Sequence, residues 1–249
     1  MSSFRILLWN VQWQRARTDR GAAIRSIIAA HDPDLICLTE SNLDLLDETG
    51  RIVSDADFGY PIREDRRKVL LWSRWPWQAI DNFGDAALPK GRFVRGRLAT
   101  PYGPLDVIGV CIPWSAAHVS TGRRDSRPWQ EHTRYLDGLS HILDRADAPA
   151  RTILLGDFNQ AIPRRHAPIA VFERLGAIMR PRFAIATAGA IAGLPTAAID
   201  HVAHGRDLAP ISVTVLPNQT DDGRRLSDHT GLLVTLSLEA VQLPASGRS

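Results

Sequence analysis

Residues 151–160 read RTILLGDFNQ. Ile153, Leu154 and Leu155 form an apolar run of strand character, and Gly156 punctuates its end. Two short polar side chains follow, Asp157 and Asn159, with Phe158 between them. Successive side chains of a strand point to opposite faces. The spacing therefore predicts Asp157 and Asn159 on one face, with Phe158 anchoring the strand end from behind. One such Asp or Asn is an ordinary turn former; a pair aimed the same way from a core strand raises the question of a site.

The same signature recurs along the chain. Asn10 ends the strand-like run FRILLWNV (4–11), and Glu40 ends DLICLTE (34–40). Asp200 lies within AAIDHVAH (197–204), and Asp228 and His229 precede the run TGLLVTLSLE (230–239). Between the first two runs, Ile24, Ile27 and Ile28 recur at helical spacing and Pro33 closes the segment, so the chain opens strand–helix–strand. KVLLWSRW (68–75), RFVRGRLAT (92–100), LDVIGVCIP (105–113) and LAPISVTVLP (208–217) read as further strands. WQEHTRYLDGLSHILDRA (129–146) reads as a long amphipathic helix with Tyr135, Leu136, Leu139, Ile142 and Leu143 inward, and APIAVFERLG (167–176) as a shorter one. Hairpin strands with a few crossover helices predict an α/β domain of two sheets packed face to face with helices outside. No repeat or linker is visible. The expected organisation is a single catalytic domain over 1–243 and a loose tail over 244–249.

Composition bounds the chemistry. With 44% hydrophobic and 23% charged residues the chain reads as globular, and a net charge of +3 mildly favours polyanionic partners. Cys37 and Cys111 lie in apolar runs and offer neither a disulfide framework nor a thiolate metal site. No apolar run approaches the ~18 residues that a membrane span needs, and the N-terminus lacks a leader pattern. A cytoplasmic monomer is the expectation. Carboxylates gathered at strand ends repel one another unless a cation or a proton sits among them. Oxygen donors without sulfur suit Mg²⁺ or Mn²⁺, which bind phosphate oxygens, so the implied chemistry is metal-assisted attack of water on a phosphoester.

In order along the chain, LLWNVQW, DLICLTES, VLLWSRWP, GDFNQ, IDHV and SDHTGLLV resemble the motifs of the endonuclease/exonuclease/phosphatase superfamily, over about residues 4–237. That resemblance implies a four-layer α/β/β/α sandwich of two packed mixed β-sheets flanked by helices. It implies Glu40, Asn10 and Asp228 as metal ligands. Asp157 would orient or deprotonate the attacking water, and Asn159 would bond a phosphate oxygen. His229, oriented by Asp200, would act at the scissile phosphate. The activity implied is phosphodiester hydrolysis, with nucleic acid, DNA foremost, as substrate; a phosphatase or phosphodiesterase acting on a small molecule or lipid head group is the alternative. A catalytically silent binding protein of the same fold is disfavoured, because Glu40, Asp157, Asn159 and His229 are all present.

The chain also departs from the superfamily pattern. The tyrosine that precedes the long helix in abasic-site endonucleases is missing; Arg123, Arg124 and Arg127 occupy that region. Pro113 and Trp114 stand where DNase I-like members carry a second histidine, with His118 as a candidate substitute, while His132, on the helix, reads as structural or solvated. Arginines cluster in REDRRK (63–68), RFVRGR (92–97), GRRDSR (122–127), PRR (163–165) and GRR (223–225), and bidentate guanidinium groups suit phosphate. Of these, Arg97 and Arg124 are expected to face the site. Trp13, Trp75, Trp77, Trp114 and Trp129 lie in or beside loops where bases can stack, whereas Trp9 and Trp72 read as core.

Overall fold

The computed structural model describes residues 3–145, 150–220 and 222–238; the expected tail and the last residues of the predicted domain lie outside them. In chain order the elements are β1 (Ser3–Asn10), α1 (Asp19–His31), β2 (Leu35–Asn42), β3 (Arg51–Val53), β4 (Arg66–Ser73), β5 (Trp77–Asp81), β6 (Phe93–Thr100), β7 (Gly103–Cys111), α2 (Gln130–Arg145), β8 (Thr152–Asp157), α3 (Ile169–Met179), β9 (Ala184–Ile185), β10 (Asp200–His204), β11 (Ala209–Val215) and β12 (Leu232–Ser237). They build two six-stranded sheets, ordered β11-β12-β1-β2-β4-β3 and β5-β6-β7-β8-β10-β9. Each sheet is mixed, with parallel pairs at β1–β2 and β7–β8.

Strand alternation explains the layers. Ile6 and Leu8 of β1, Cys37 of β2 and Leu71 of β4 meet Val107 of β7, Ile153 and Leu155 of β8 and Val202 of β10 between the sheets. The alternate positions Leu7, Trp9, Ile36 and Leu38 face outward and are covered by Ile24 and Ile28 of α1. On the other outer face, Ile108, Val110 and Leu154 are covered by Tyr135, Leu136 and Leu139 of α2 and by Leu175, Ile178 and Met179 of α3. Strands buried on both faces read as continuous apolar runs, which is why ILL in β8 carries no polar alternation. The result is a four-layer α/β/β/α sandwich. Thr18 caps α1 by accepting the Gly21 N–H at 3.1 Å, and Asp32 ends the helix in a left-handed conformation. Three short strands, β3, β5 and β9, escape sequence reading because each is an edge segment of few residues.

The sandwich positions the site by the same parity rule. Positions 6 and 8 of β1 point between the sheets, and the next in phase is Asn10. In β8 the series 153 and 155 leads to Asp157, and in β10 position 202 leads back to Asp200. At this end of the inter-sheet core the filling changes from apolar to polar, and side chains from both sheets converge.

Candidate active site

Asp157 stands at the centre, about 1% exposed. Its Oδ2 accepts the Nδ2–H of Asn10 from the facing sheet at 3.1 Å and that of Asn159 at 3.0 Å, while Oδ1 accepts the Asn159 backbone N–H at 2.8 Å. The last bond is an Asx turn, so β8 ends at Asp157 rather than continuing through Asn159. Asn159 adopts φ +51° and lies beside Asp157 by this turn, not by strand alternation. Phe158 is fully buried against the helical layer and meets His201 edge-on at 5.1 Å, as its anchoring role requires.

Asp200 is the antiparallel partner of Asp157 in the β8–β10 register, so two carboxylates lie directly opposite each other. Like charges placed so are destabilising unless compensated. His229 supplies compensation: its Nδ1 lies 2.6 Å from Asp200 Oδ2. Ser227 frames this corner by donating its hydroxyl to the Asn10 carbonyl at 2.6 Å while accepting the His229 N–H at 3.2 Å. The Trp9 indole N–H donates to the His229 carbonyl at 3.0 Å. Burial, with Asp200 adding to it, pushes the Asp157 carboxyl up to about 7. Burial works against the His229 imidazolium, yet the Asp200 carboxylate beside it holds the group up at about 10. At neutral pH His229 therefore carries both ring protons, and its Nε2–H is available as a donor.

Glu40 approaches from β2 with φ +49°. Its charge adds to the upward push on Asp157, which places it at the same edge. One carboxylate oxygen bonds Lys68 Nζ of the neighbouring strand at 2.6 Å. Lys68 is 8% exposed, and its ammonium lies over the Trp13 ring at 5.0 Å, with Arg66 over the same ring at 4.9 Å. Trp13 in turn stacks on Phe58 at 5.6 Å. Seven described non-glycine residues have positive φ; apart from Asp32 and Ala79, all of them (Gln12, Trp13, Glu40, Trp129 and Asn159) border this edge. Strain of this kind persists where surrounding structure enforces it, and it gathers at functional sites.

Asp157, Asp200 and His229 each offer a ligand atom, all within 4.8 Å of one another. Asp200 Oδ1 is buried with no hydrogen-bond partner. With His229 protonated on both ring nitrogens, the oxygen donors here are the two carboxylates, and the orphaned Asp200 oxygen fits a hard divalent cation.

Several sequence expectations change on this geometry. Both Nδ2 hydrogens of Asn159 are engaged, by Asp157 and by the Ile112 carbonyl at 2.9 Å, so Asn159 has no amide hydrogen left for a phosphate. Asn10, expected as a metal ligand, turns its amide to Asp157 and accepts the Gln12 N–H on one lone pair of Oδ1 at 3.1 Å, which leaves it one free amide hydrogen. Asp228 is exposed and stands outside the Asp157–Asp200–His229 cluster, in the wall of an adjoining cavity. Arg97 is not at the site. It pairs with Asp106 at 2.9 Å, and Asp106 aligns with Thr152 at the opposite end of β8, roughly 16 Å of strand from Asp157. Trp75 and Trp77 also pack at that far end, Trp75 stacked on Phe4 at 5.6 Å. His118 braces its loop by accepting the Ser126 N–H on Nδ1 at 2.9 Å. Trp114 and Arg124 sit exposed on the segment between β7 and α2, with no bond to the central group.

Sequence reading overlooked Lys68, Gln160 and His201. Lys68 carried a usable signal, since it is the charge of the REDRRK cluster that directly adjoins the apolar run VLLW. The others did not, because their roles depend on contacts across the fold. Gln160 donates its side-chain amide to His132 Nε2, 2.7 Å away, and accepts His201 Nε2–H on its backbone carbonyl at 3.0 Å. His132 and His201 are fully buried, and burial holds both imidazoles down to about 4. Free histidine protonates near 6.5, so the unfolded chain takes up protons that the folded chain refuses. The stability these neutral residues permit is complete above about pH 6.5 and falls as pH drops towards 4, by on the order of 3 kcal/mol for each. Urea unfolding at pH 7, 5.5 and 4.5 should show this decline, and His132→Gln should make it shallower; an unchanged slope would contradict the assignment.

A sandwich with opposed carboxylates, an Asp–His pair and an amide donor at one end of its inter-sheet core defines a phosphoester-hydrolase class of site. A family model described as the Endonuclease/Exonuclease/phosphatase family matches residues 7–229, and the chain belongs to that family of metal-dependent phosphoesterases. Solved structures agree in fold. An endonuclease/exonuclease/phosphatase from Beutenbergia cavernae is 17% identical, with TM-score 0.68, over 96% of this chain and 72% of that one. An AP endonuclease from Archaeoglobus fulgidus is 17% identical, with TM-score 0.67, over 93% and 98%. A 3'-5' exonuclease from Neisseria meningitidis is 19% identical, with TM-score 0.67, over 95% and 100%. No curated protein matches the chain. No helix among the described residues is long and apolar enough to cross a membrane.

Proposed function

We propose that the protein hydrolyses phosphodiester bonds in nucleic acid, DNA foremost, with Mg²⁺ or Mn²⁺. The observation that carries this reading is the buried Asp157 carboxylate, fixed by three N–H donors opposite the Asp200–His229 pair. A carboxylate held near pKa 7 is matched to take a proton from water at neutral pH, so Asp157 orients the attacking water and accepts its proton. His229, doubly protonated and held by Asp200, donates from Nε2 to a phosphoryl oxygen. The free amide hydrogen of Asn10 donates to a second oxygen, the role that Asn159 cannot fill. Glu40, through the oxygen not bonded by Lys68, and Asp228, from the adjoining cavity wall, would hold the divalent ion together with the unpartnered Asp200 Oδ1. When bound, the ion acts as a Lewis acid on the phosphoryl oxygen and offsets the carboxylate charge.

The rim supports a polyanionic chain as substrate. Arg66 lies over the Trp13 ring at this edge, and Arg123, Arg124 and Arg127 are exposed on the loop after β7. The cavity beside His229 favours a second reading, a small phosphorylated molecule as substrate. A panel of plasmid, abasic and single-stranded oligonucleotides, bis-p-nitrophenyl phosphate and phosphomonoesters separates the two. Nuclease activity that requires added Mg²⁺ or Mn²⁺ and vanishes with EDTA is expected. Hydrolysis of small esters alone would shift the assignment to the second reading.

A further inference from the structure

We propose that the cavity beside His229 is a subsite for a second phosphate of the substrate, gripped by Arg165 and Arg225. The proposal rests on the phosphoester-hydrolase reading above and names what lies next to the scissile group.

The cavity holds about 270 Å³ and opens directly from Asn159, Asp200 and His229. Two arginine clusters far apart in sequence, PRR (163–165) and GRR (223–225), meet in its wall. Arginines elsewhere are commonly neutralised, as in Arg97–Asp106, Arg180–Glu173 and Arg182–Asp144. Arg165 has neither hydrogen bond nor ion pair among the described residues, and its neighbour His166, also in the wall, has none. The Arg225 guanidinium is steadied by the Asp228 backbone carbonyl, at 2.8 Å, and its backbone by a bridge to Gln219. The carboxylate of Asp228 lines the same cavity, and Asp200 is occupied by His229. A wall with two unneutralised guanidinium groups suits a dianionic phosphate, which each can grip in bidentate fashion.

The arginine-bearing loop has a buried footing. Gln160, 2% exposed, ties its start to His132 and His201. The Gly189 N–H donates to the Ile162 carbonyl at 2.8 Å, and Arg164 closes the turn onto the Ala167 carbonyl at 3.0 Å. Trp129 is held at the cavity with φ +69°, edge-on to His132 at 5.0 Å. Pro195, Ala197, Ile199 and Leu232 supply an apolar floor large enough for a sugar or similar ring. On the opposite side of the site, Lys68 is bonded to Glu40 and Arg66 lies over Trp13.

A second phosphate can come from the adjoining unit of a nucleic acid or from a small bisphosphate. Titration calorimetry with Ca²⁺ present can compare adenosine 3',5'-bisphosphate with adenosine 5'-monophosphate, and fructose 1,6-bisphosphate with fructose 6-phosphate. The expected result is that the bisphosphate of at least one pair binds about tenfold more tightly than its monophosphate. That ratio should fall to about one in the Arg165→Gln/Arg225→Gln protein, and the surface control Arg180→Gln should keep it, both variants melting like wild type. Preference within the nucleotide pair identifies a nucleic-acid neighbour as the source; preference confined to the sugar pair identifies a small bisphosphate. Equal affinities in both pairs, or a preference that survives the double substitution, would overturn the subsite. Because binding is read at equilibrium, the result stands even if no phosphoester in the activity panel is hydrolysed, an outcome that would instead defeat the proposed reaction.

Discussion

Asp157→Asn is expected to lower kcat by about a thousandfold or more while the melting temperature stays within about 4 °C of wild type. The substitution preserves volume in a fully enclosed position and removes a carboxylate from direct opposition to Asp200. Folding therefore loses a repulsion together with some of the three N–H contacts, and the two changes offset. The proposed reaction, in contrast, loses the proton acceptor assigned to it between Asn10 and the Asp200–His229 pair. His229→Ala should be as severe, because it removes the donor aimed at the phosphoryl oxygen. Its backbone carbonyl, which accepts from Trp9, remains and keeps the loop seated. Steady-state kinetics on bis-p-nitrophenyl phosphate, with calorimetric melting of each variant, decide the matter. Activity within tenfold of wild type in either variant would remove that residue from the mechanism.

Gly156→Ala is expected to destabilise the fold by at least about 3 kcal/mol and to abolish activity with it. Gly156 has φ +142°, and a Cβ there would lie 1.8 Å from the Val110 carbonyl oxygen on the neighbouring strand. Neither backbone can yield, because β7 and β8 are locked in parallel register at Val110–Gly156 and Cys111–Asp157. Gly103→Ala makes a useful contrast. It also has positive φ (+97°) but nothing within 4 Å of the added atom, so it should show strain alone, about 1–2 kcal/mol. Urea unfolding of both variants separates clash from strain; equal losses would show that close approach to Val110 is not what requires glycine in this motif.

These two residues illustrate what a linear reading can and cannot reach. The apolar runs around Leu8, Cys37, Leu155 and Val202, each ending in a polar residue, showed that several strands deliver oxygen-bearing side chains to one edge. Period-2 alternation is a local property, so parity alone sends Asn10, Asp157 and Asp200 towards the gap between the sheets. The carboxylate cluster followed from residue types already present in the motifs, and the Asp–His pairing was what the family resemblance implied. Arg97 shows the opposite case: its cluster looked suited to phosphate, but the register of β6 against β7 carries it to Asp106, at the wrong end of the sandwich. Asn159 was placed beside Asp157 for the wrong reason, since the Asx turn that joins them is a hydrogen bond, not a strand repeat.

From the sequence by itself came the strands, their buried faces and the inventory of acids, amides and histidine that marks a phosphoester chemistry. Only the tertiary structure decided which donor is free to meet a phosphate, that Lys68 already holds Glu40, and that Arg165 and Arg225 meet beside His229. The division has a physical cause. Alternation and propensity act over neighbouring residues, whereas a hydrogen bond between β1 and β8, or a cavity walled by loops some 60 residues apart, exists only after two sheets have been stacked in one register.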